Sequence, residues 1–261
     1  MILVYDGTFE GFLSLIYEVY YKKLKPIKIY KTLPTEMIFE EIKTIETSLV
    51  NSIKVLDAIK AKFPKDIICK ILNIFMCDTK EFELDLLEYI IVGFKYTEQL
   101  LNINLQSVFY LNNLENELFK NVHKMTGFIR FEELEDGTLY AKVESKFNVL
   151  YFLGKHFLKR FNNQNFIIHD LNRKLAFVKI ENDFSVQEVA FFDEPNYSQN
   201  EQKFQKLWKS FFSGVTIKER INSNLQRQMV PLIYRTYMSE FFDNNDTFKI
   251  PFNNIIAHDN T

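Results

Sequence analysis

Glycine, proline and cysteine are all scarce in this chain. Its 261 residues include 7 glycines, 6 prolines and 2 cysteines. The scattered glycines form neither a G-x-G-x-x-G nor a G-x-x-x-x-G-K phosphate-binding loop, and the G-x-S-x-G nucleophile elbow is also missing. The sequence therefore indicates neither of these phosphate loops and no serine-hydrolase elbow.

Metal-binding patterns are missing as well. Cys69 and Cys77 fit no zinc, iron–sulfur or disulfide framework, and we interpret both as buried free thiols in a reducing cytosol. None of the four histidines has a second histidine four residues away, as a helical zinc site requires. We therefore expect no metal and no cofactor. The histidines are His123, His156, His169 and His258.

Targeting signals and long apolar runs are also lacking. The N-terminus has no basic segment followed by an apolar core, and no apolar run approaches the ~20 residues of a membrane span. We therefore expect a cytoplasmic protein that makes no membrane contact.

The composition is that of an ordinary globular protein, with 47% hydrophobic and 25% charged residues. Aromatic residues reach 16%, mostly phenylalanine, which favours a Phe-rich core over a surface of base-stacking platforms. The net charge of −2 gives no global basic field for nucleic acid. Residues 201–240 nevertheless carry 7 basic and 3 acidic side chains, so a basic C-terminal face remains open.

Hydrophobic periodicity predicts an α+β fold in one unit spanning residues 1–261, with a helical subdomain, a small mostly antiparallel sheet and a helical C-terminus. The expected subregions are strand–helix–strand over 1–34, helices over 35–122, an antiparallel sheet with one helix over 123–195, helices over 201–243, and a loose tail over 244–261.

The local signals are clearest at the N-terminus. A short apolar strand ends at Asp6-Gly7, and Thr8 is a suitable N-cap for a helix over 8–23. A second strand at 27–30 makes a parallel βαβ unit feasible. Farther along, we predict a helix beginning at Thr35, helices near 100–121 and 148–161, paired strands at 127–134 and 138–144 around a turn at 135–137, and C-terminal helices at 201–213, 216–227 and 231–242.

The segment from Phe204 to Pro231 is the most unusual, because it combines the only tryptophan with basic and amide side chains. In a functional interpretation its cations contact phosphates and its glutamines reach a base edge or sugar. In a structural interpretation Trp208 and the neighbouring phenylalanines close the core, and Asn222 caps a helix. Both interpretations can be correct at once, because the apolar and the polar side chains lie on different faces of the segment. The candidate nucleic-acid residues here are Lys209, Arg220, Asn222, Gln226, Arg227 and Tyr234.

A second candidate segment precedes the predicted hairpin. His123 and Lys124 come before a glycine, and Arg130 lies between two phenylalanines, where a cation beside aromatic faces suits a phosphate or a stacked base. The alternative is a half-buried strand that exposes Arg130 to solvent.

Asp6, His169 and Asp170 form a candidate pocket. A histidine with a nearby carboxylate is the elementary general-base pairing, but neighbours on a strand point to opposite faces. An Asx turn explains Asp170, and another before Gly7 explains Asp6.

Several of these motifs, in the same order, resemble one bacterial family of unknown function, numbered 4130 and also described as "probable DNA metabolism protein". The resemblance covers nearly the whole chain. The matching segments are Tyr5-Asp6-Gly7-Thr8-Phe9-Glu10-Gly11-Phe12, His123 to Phe131, Glu135-Asp136-Gly137-Thr138-Leu139-Tyr140, Ile168-His169-Asp170, and Leu207-Trp208 through Glu240.

The resemblance implies a link to a radical-SAM protein of DNA repair or modification, and some members carry a C-terminal uracil-DNA-glycosylase-type domain. This chain ends at Thr261 without such an extension, so we do not expect glycosidic-bond cleavage. The family's Met-Pro-basic-basic-Tyr-Trp segment reads Val-Pro-Leu-Ile-Tyr-Arg at 230–235 here, which removes two cations.

The sequence is consistent with three functions. The chain binds nucleic acid or presents it to a partner enzyme, with DNA as the candidate ligand. Alternatively, it is an adaptor that docks a radical-SAM protein without touching DNA. As a third alternative, it is an enzyme acting on nucleotides or damaged DNA through His123, Arg130 and His169, together with Asp6 or Asp170.

Overall fold

A computed structural model describes residues 1–33, 39–189 and 195–241. The chain divides into two compact units, Met1–Phe119 and Lys120–Thr261. Within the described ranges, no helix is both long and apolar enough to cross a membrane.

The first unit contains a three-stranded sheet whose strands are all parallel. Strand β1 (Ile2–Val4) lies between β2 (Lys28–Tyr30) and β3 (Ile42–Thr44). Helix α1 (Phe9–Lys22) joins β1 to β2, and the Thr8 hydroxyl accepts a hydrogen bond from the Gly11 amide at 2.9 Å. The predicted strand–helix–strand order and the Thr8 cap are therefore confirmed.

Helices complete the first unit, but its middle is not helical throughout as predicted. Residues 42–44 form β3 because they pair with β1, where the Ile45 amide donates to the Val4 carbonyl at 2.8 Å. This tertiary pairing overrides the local helical spacing. The predicted start at Thr35 lies outside the described residues. The helices are α2 (Leu49–Lys62), α3 (Lys65–Phe75) and α4 (Glu83–Lys95), with a 3₁₀ turn at Thr97–Leu101. Helix α5 (Gln106–Phe128) begins in the first unit, and its residues from Lys120 onward belong to the second.

The two cysteines differ in burial. Cys77 is buried, as predicted, but Cys69 is exposed. On α3 the buried positions are Ile67, Ile71 and Ile74, and Cys69 projects from the opposite face of that helix.

The second unit is built on a five-stranded mixed sheet in the order β4-β5-β6-β7-β8. Helix α6 (Leu150–Arg160) leads from β5 into β6, which therefore runs parallel to β5, whereas the other neighbours are antiparallel. The prediction of a mostly antiparallel sheet is wrong, because the described strands of both sheets make three parallel and three antiparallel pairs. The strands are β4 (Glu132–Glu133), β5 (Leu139–Val143), β6 (Phe166–Asp170), β7 (Leu175–Ile180) and β8 (Asp183–Glu188).

The core of the second unit is rich in phenylalanine, as expected. The ring of Phe131 packs edge-on against Phe157 at 4.8 Å between centroids, and Phe166 stacks on Phe177 at 5.9 Å. Phe166 and Phe177 are both 0% exposed, so these rings form the interior between sheet and helix.

The predicted first hairpin strand, residues 127–134, is mostly wrong. Helix α5 continues to Phe128, and only Glu132–Glu133 pairs with β5. His123 and Lys124 therefore lie on a helix, not before a strand. The cause is the helical spacing of buried Leu118, Asn121 and Met125, which keeps this segment packed as a helix.

The C-terminal helices are shorter than predicted. The long helix α7 (Glu201–Gly214) is close to the expected 201–213. The predicted 216–227 and 231–242 are instead broken into a 3₁₀ turn at Lys218–Arg220, helix α8 (Ser223–Met229), and 3₁₀ turns at Leu232–Tyr237 and Ser239–Phe241. The predicted loose tail at 244–261 lies outside the described residues.

Candidate functional site

A cleft of about 670 Å³ opens in the second unit, within the volume range of small-molecule sites. The end of α5, strand β4 and helix α6 form its walls together with α7 and the last 3₁₀ turns. Arg130 and Trp208 lie in its lining, and so do Glu132, Glu133 and Glu201.

Arg130 is held by a carboxylate on one side and by backbone on the other. Its Nη2 donates to Glu240 Oε1 at 2.5 Å and its Nε to Oε2 at 3.3 Å. Its Nη1 donates to the carbonyls of Gly127 at 3.0 Å and Ile129 at 3.1 Å, the former at the C-terminal end of α5. The guanidinium carbon also lies 5.8 Å from the centre of the Trp208 ring. The aromatic neighbour of Arg130 is therefore Trp208, a residue other than the two phenylalanines that flank it in the sequence, and the charge of Arg130 is neutralised by Glu240.

Glu240 is well suited to this pairing. Its side chain is only 2% exposed. Burial pushes its pKa upward, but hydrogen bonds from Arg130 and Trp208 outweigh that effect and hold the pKa of Glu240 below its ordinary value. The carboxylate therefore stays ionised beside Arg130 at neutral pH.

The carboxylates in the cleft lining make it unfavourable for a polyanion. The Gln205 amide donates to both Glu132 Oε1 and Glu201 Oε1 at 3.0 Å, which brings the two acids together. Burial raises the pKa of Glu132, against the opposing hydrogen bond from Tyr197 and charge of Lys142. Nucleic-acid phosphates would meet like charge here.

His169 and Asp170 make separate contacts. Tyr140 Oη and His169 Nδ1 lie 2.9 Å apart in the buried interior. Burial, and then the charge of Lys142, lowers the pKa of His169. Asp170 instead accepts the Arg173 amide at 3.1 Å and the Arg173 guanidinium at 2.9 Å. These partners support the structural interpretation of Asp170, as the anchor of the turn after β6.

Asp6 belongs to the first unit and has a local role there. Its Oδ1 accepts the Thr8 amide at 2.9 Å and the Thr8 hydroxyl at 2.7 Å, and its Oδ2 accepts the Thr47 hydroxyl at 2.5 Å. Gly7, with φ +79°, adopts the left-handed backbone conformation between Asp6 and Thr8. Burial opposes ionisation, but these hydrogen bonds lower the pKa of Asp6. The predicted Asx turn is confirmed.

The remaining candidates in and near α5 are not grouped around the cleft. His123 and Lys124 are exposed on α5. Tyr234 accepts a hydrogen bond from Asn121 Nδ2 at 2.9 Å, and its ring packs against Phe128 at 5.1 Å. Among its described lining residues, the cleft includes Arg130 but neither His123 nor His169.

The C-terminal cations form a different environment. Asn222 caps α8 by accepting the Leu225 amide at 3.0 Å, which confirms the predicted cap. Lys209 is half-buried, while Arg220, Gln226 and Arg227 are exposed.

Arg235, the residue after Tyr234, lies near Arg227. Burial, and then the charge of Arg227, lowers the pKa of Arg235. Arg235 Nε donates to the Val230 carbonyl at 3.0 Å, and its guanidinium carbon lies 4.3 Å from the centre of the Phe241 ring. Among the described residues its buried Nη2 has no hydrogen-bond partner.

Helix α7 turns its apolar face outward. Phe204 is 59% exposed, Leu207 65%, Trp208 40% and Phe211 59%. Their i, i+3, i+4, i+7 spacing places them on one side of the helix, and Val215 continues that line. We call these five residues the α7 apolar face. The prediction that Trp208 and its neighbouring phenylalanines close the core is wrong for Trp208 and Phe211, whereas Phe212 is half-buried and packs edge-on against Phe241 at 5.8 Å.

Polar contacts hold the neighbouring side of α7. Glu201 Oε2 accepts the Glu133 amide at 2.9 Å, and Gln205 reaches Glu132. The Ser198 hydroxyl, just before the helix, donates to Glu133 Oε2 at 3.0 Å. Sequence periodicity predicts the apolar stripe of α7. It does not predict which side of the helix packs against the rest of the chain.

The residues described in the three ranges contain no group of three or more His, Cys, Asp or Glu side chains placed to hold a metal ion.

The fold and this site define an α+β protein of two compact units with an outward-facing amphipathic helix in the second. Residues 80–240 match the family model of a domain of unknown function, DUF4130, and the chain belongs to that family. No curated protein matches the chain. The match includes α4, α5, the mixed sheet, α7 and the Arg227–Arg235 segment, and it confirms the family noted from the sequence motifs.

Proposed function

We propose that this protein is a binding protein of DNA metabolism whose α7 apolar face docks a partner protein. The assignment to DNA metabolism rests on the family resemblance, which also implies a radical-SAM enzyme as the partner. The docking surface rests on one observation, the outward orientation of the α7 apolar face.

The exposure of this face is the main support. Leu207 is 65% exposed and Phe211 59%, although burial of each side chain would contribute about 1.5–3 kcal/mol. Contiguous exposed apolar surface of this kind marks interaction sites. Lys203 and Lys206 flank the face and are themselves exposed, so a partner with an acidic rim around an apolar centre fits best.

The chemistry of the exposed side chains favours protein over nucleic acid. Bases stack on aromatic rings, but aliphatic side chains offer no stacking face. After the α7 apolar face, the exposed large apolar side chains at described positions from 216 to 241 are all aliphatic or methionine. They are Ile217, Ile221, Leu225, Met229 and Leu232.

The test is direct binding between the full chain and the radical-SAM protein of the same organism, measured by calorimetry or light scattering. We expect a complex that Leu207→Glu weakens at least tenfold. Ile180→Glu, which changes a 59% exposed residue of the same unit, should bind like the wild type. No complex at tens of micromolar, or equal binding by the Leu207 variant, contradicts the proposal.

A second candidate function is direct contact with nucleic-acid phosphates through Arg227 and Arg235. Burial and then the charge of Arg227 lower the pKa of Arg235, and Arg235 Nη2 is buried without a hydrogen-bond partner among the described residues. A phosphate oxygen would satisfy that nitrogen and relieve the repulsion. Arg235 thereby offers a replacement for the two cations that the sequence lacks at 232 and 233.

DNA binding is measured by fluorescence anisotropy with single- and double-stranded oligonucleotides at two salt concentrations. The log of the affinity should fall by roughly 0.7–0.9 for each neutralised phosphate per log unit of salt. Arg227→Glu should reduce both the affinity and this slope, whereas Lys159→Glu, on exposed α6 surface, should change neither. Absence of binding at low salt rules out this second candidate.

A further inference from the structure

A groove on the first unit combines tyrosines with lysines and has no role in the functions proposed above. It encloses about 320 Å³, at the lower end of the range for small-ligand sites. Helix α1 contributes three tyrosines, α2 two lysines, and α4 apolar side chains. The lining residues used below are Tyr17, Tyr20, Tyr21, Lys54, Lys62 and Phe94.

The tyrosines are not needed to build the core. Tyr20 is 56% exposed and Tyr21 66%, whereas Phe12, Leu13 and Leu15 of the same helix are 0–1% exposed. Tyr17 and Tyr21 lie 4.4 Å apart between ring centroids, and Tyr20 meets Tyr21 edge-on at 5.4 Å. The result is a small cluster of aromatic rings at the solvent boundary, in which the exposed Tyr21 ring can accept another flat ring.

The groove is also positively charged. Lys54 Nζ lies 5.7 Å from the centre of the Tyr17 ring, and within the described ranges Lys54 forms no ion pair. Lys62 donates to the carbonyl of Phe94 on α4. The nearby acid Glu18 is already engaged by Lys22 at 2.5 Å and Lys43 at 3.6 Å.

Sequence composition strengthens this local charge. Residues 17–28 and 54–65 contain the second halves of α1 and α2, and together they carry eight lysines and two acids. The two helices run side by side in the same direction, since Ser14 of α1 bonds Ser48 before α2, and Tyr17 meets Lys54 farther along. The lysine-rich ends therefore lie at the same end of the unit, as the groove does.

We infer that this groove binds a nucleotide, with the base stacked against the exposed Tyr21 ring beside Tyr20 and the phosphate at Lys54. A flat aromatic ring matches the tyrosine faces, and an anion matches the lysines, whereas a cationic ligand would be repelled. The nucleotide is either free or part of a single strand, because both present the same base and phosphate. The groove belongs to a different unit from the α7 apolar face, so the two proposals stand independently.

The experiment titrates the full chain by calorimetry with four probes: AMP, adenosine, ribose 5-phosphate and a short single-stranded oligodeoxynucleotide. We expect AMP to bind at least fivefold more tightly than adenosine or ribose 5-phosphate, because each of these lacks one of the two recognised groups. A strand that binds more tightly than AMP identifies a single strand as the source, and the reverse order identifies free nucleotide.

Variants locate the site. Tyr21→Ala should weaken AMP binding at least fivefold, the lower end of what loss of one stacking partner produces. Lys54→Glu should weaken it similarly. The matched controls lie in the second unit: Tyr151→Ala, a 50% exposed tyrosine, and Lys159→Glu, an exposed lysine of α6. Both controls should bind AMP like the wild type.

Circular dichroism checks that each variant is folded. We expect all of them to fold, because the substituted side chains are exposed. The inference is overturned if neither AMP nor the oligonucleotide binds at millimolar concentration. It is also overturned if adenosine binds as tightly as AMP, or if Tyr21→Ala and Lys54→Glu bind like the wild type. Loss of AMP binding in these two variants with intact partner docking would leave the α7 proposal untouched.

Discussion

Replacing Arg130 with methionine should destabilise the second unit more than replacing Glu240 with glutamine. The two residues form one ion pair, but they are not equally buried: the Glu240 side chain is 2% exposed and the Arg130 side chain 26%. Removal of Arg130 leaves a carboxylate that water can hardly reach. Removal of the Glu240 charge leaves a guanidinium that is partly solvated.

The expected magnitudes follow from this asymmetry. Breaking a buried ion pair by removing one partner costs about 3–5 kcal/mol, and we expect Arg130→Met at about 3 kcal/mol because the pair is partly solvated. Arg130 would also stop donating to the Gly127 carbonyl at the end of α5. In Glu240→Gln the guanidinium keeps the Gly127 and Ile129 carbonyls and the Trp208 ring, so we expect about 1–1.5 kcal/mol.

The pH dependence distinguishes a stranded charge from lost packing. The pKa of Glu240 is depressed in the folded wild type, so the pair contributes its full stability above the unfolded pKa of about 4.3 and loses it as pH falls through the folded pKa. In Arg130→Met, burial without a cation raises the pKa of Glu240, and protonation then relieves the penalty. The difference in unfolding free energy between wild type and variant should therefore shrink from about pH 7 to about pH 4.

The assay is urea denaturation followed by tryptophan fluorescence. Trp208 is the only tryptophan in the chain and lies beside Arg130, so its emission reports on this unit selectively. A double-mutant cycle with both substitutions gives the coupling free energy. Equal destabilisation by the two single substitutions, or an Arg130→Met penalty that does not change with pH, would refute the stranded-charge argument.

Three further predictions concern the second unit. Gly154→Ala should destabilise this unit by about 2 kcal/mol or more, because the added Cβ would lie 2.2 Å from the Phe177 ring. Gly214→Ala should be neutral or stabilise α7 by about 0.5 kcal/mol, because its added Cβ meets no atom within 4 Å. Urea denaturation measures the unfolding free energy of both variants. NMR titration of His169 should give a pKa below the ordinary 6.5, because burial and then Lys142 disfavour its charged form. Since the unfolded chain then binds that proton first, unfolding free energy should fall as pH drops below about 6.5, and a pKa at or above 6.5 would contradict this.

The features predicted correctly from sequence are those specified locally. Thr8 caps α1 and Asn222 caps α8 through side chains that bond an amide three residues away, so the signal lies within a few residues. The Asx turn at Asp6 is of the same kind. Such features need no knowledge of distant chain segments.

The features that were missed depend on distant contacts. β3 forms at residues 42–44 only because β1 offers an edge, and β6 runs parallel to β5 only because α6 carries the chain back. Arg130 was singled out from sequence, but its partner Glu240 is 110 residues away and has no local signal.

Helical periodicity also misled the prediction of surfaces. In α1 the 3.6-residue spacing includes both Phe12 and Tyr20, yet Phe12 is 0% exposed and Tyr20 is 56% exposed at the edge of a groove. The same spacing placed Trp208 in the core. A stripe of apolar side chains indicates a helix face that packs against another surface, but that surface can belong to another molecule.

The comparison of α1 with α7 gives the strongest reason to treat α7 as a docking element. α1 buries its apolar centre, with Phe12 at 0% exposure, and leaves only tyrosines at its margin. α7 does the opposite: its contacts with the sheet are made by Glu201 and Gln205, while Leu207 faces solvent. Intramolecular hydrogen bonds contribute about 1 kcal/mol each, which is less than burial of one leucine or phenylalanine side chain can supply. Among the described residues, most of the apolar burial available to α7 is therefore unused, and a partner that covers this face would supply it.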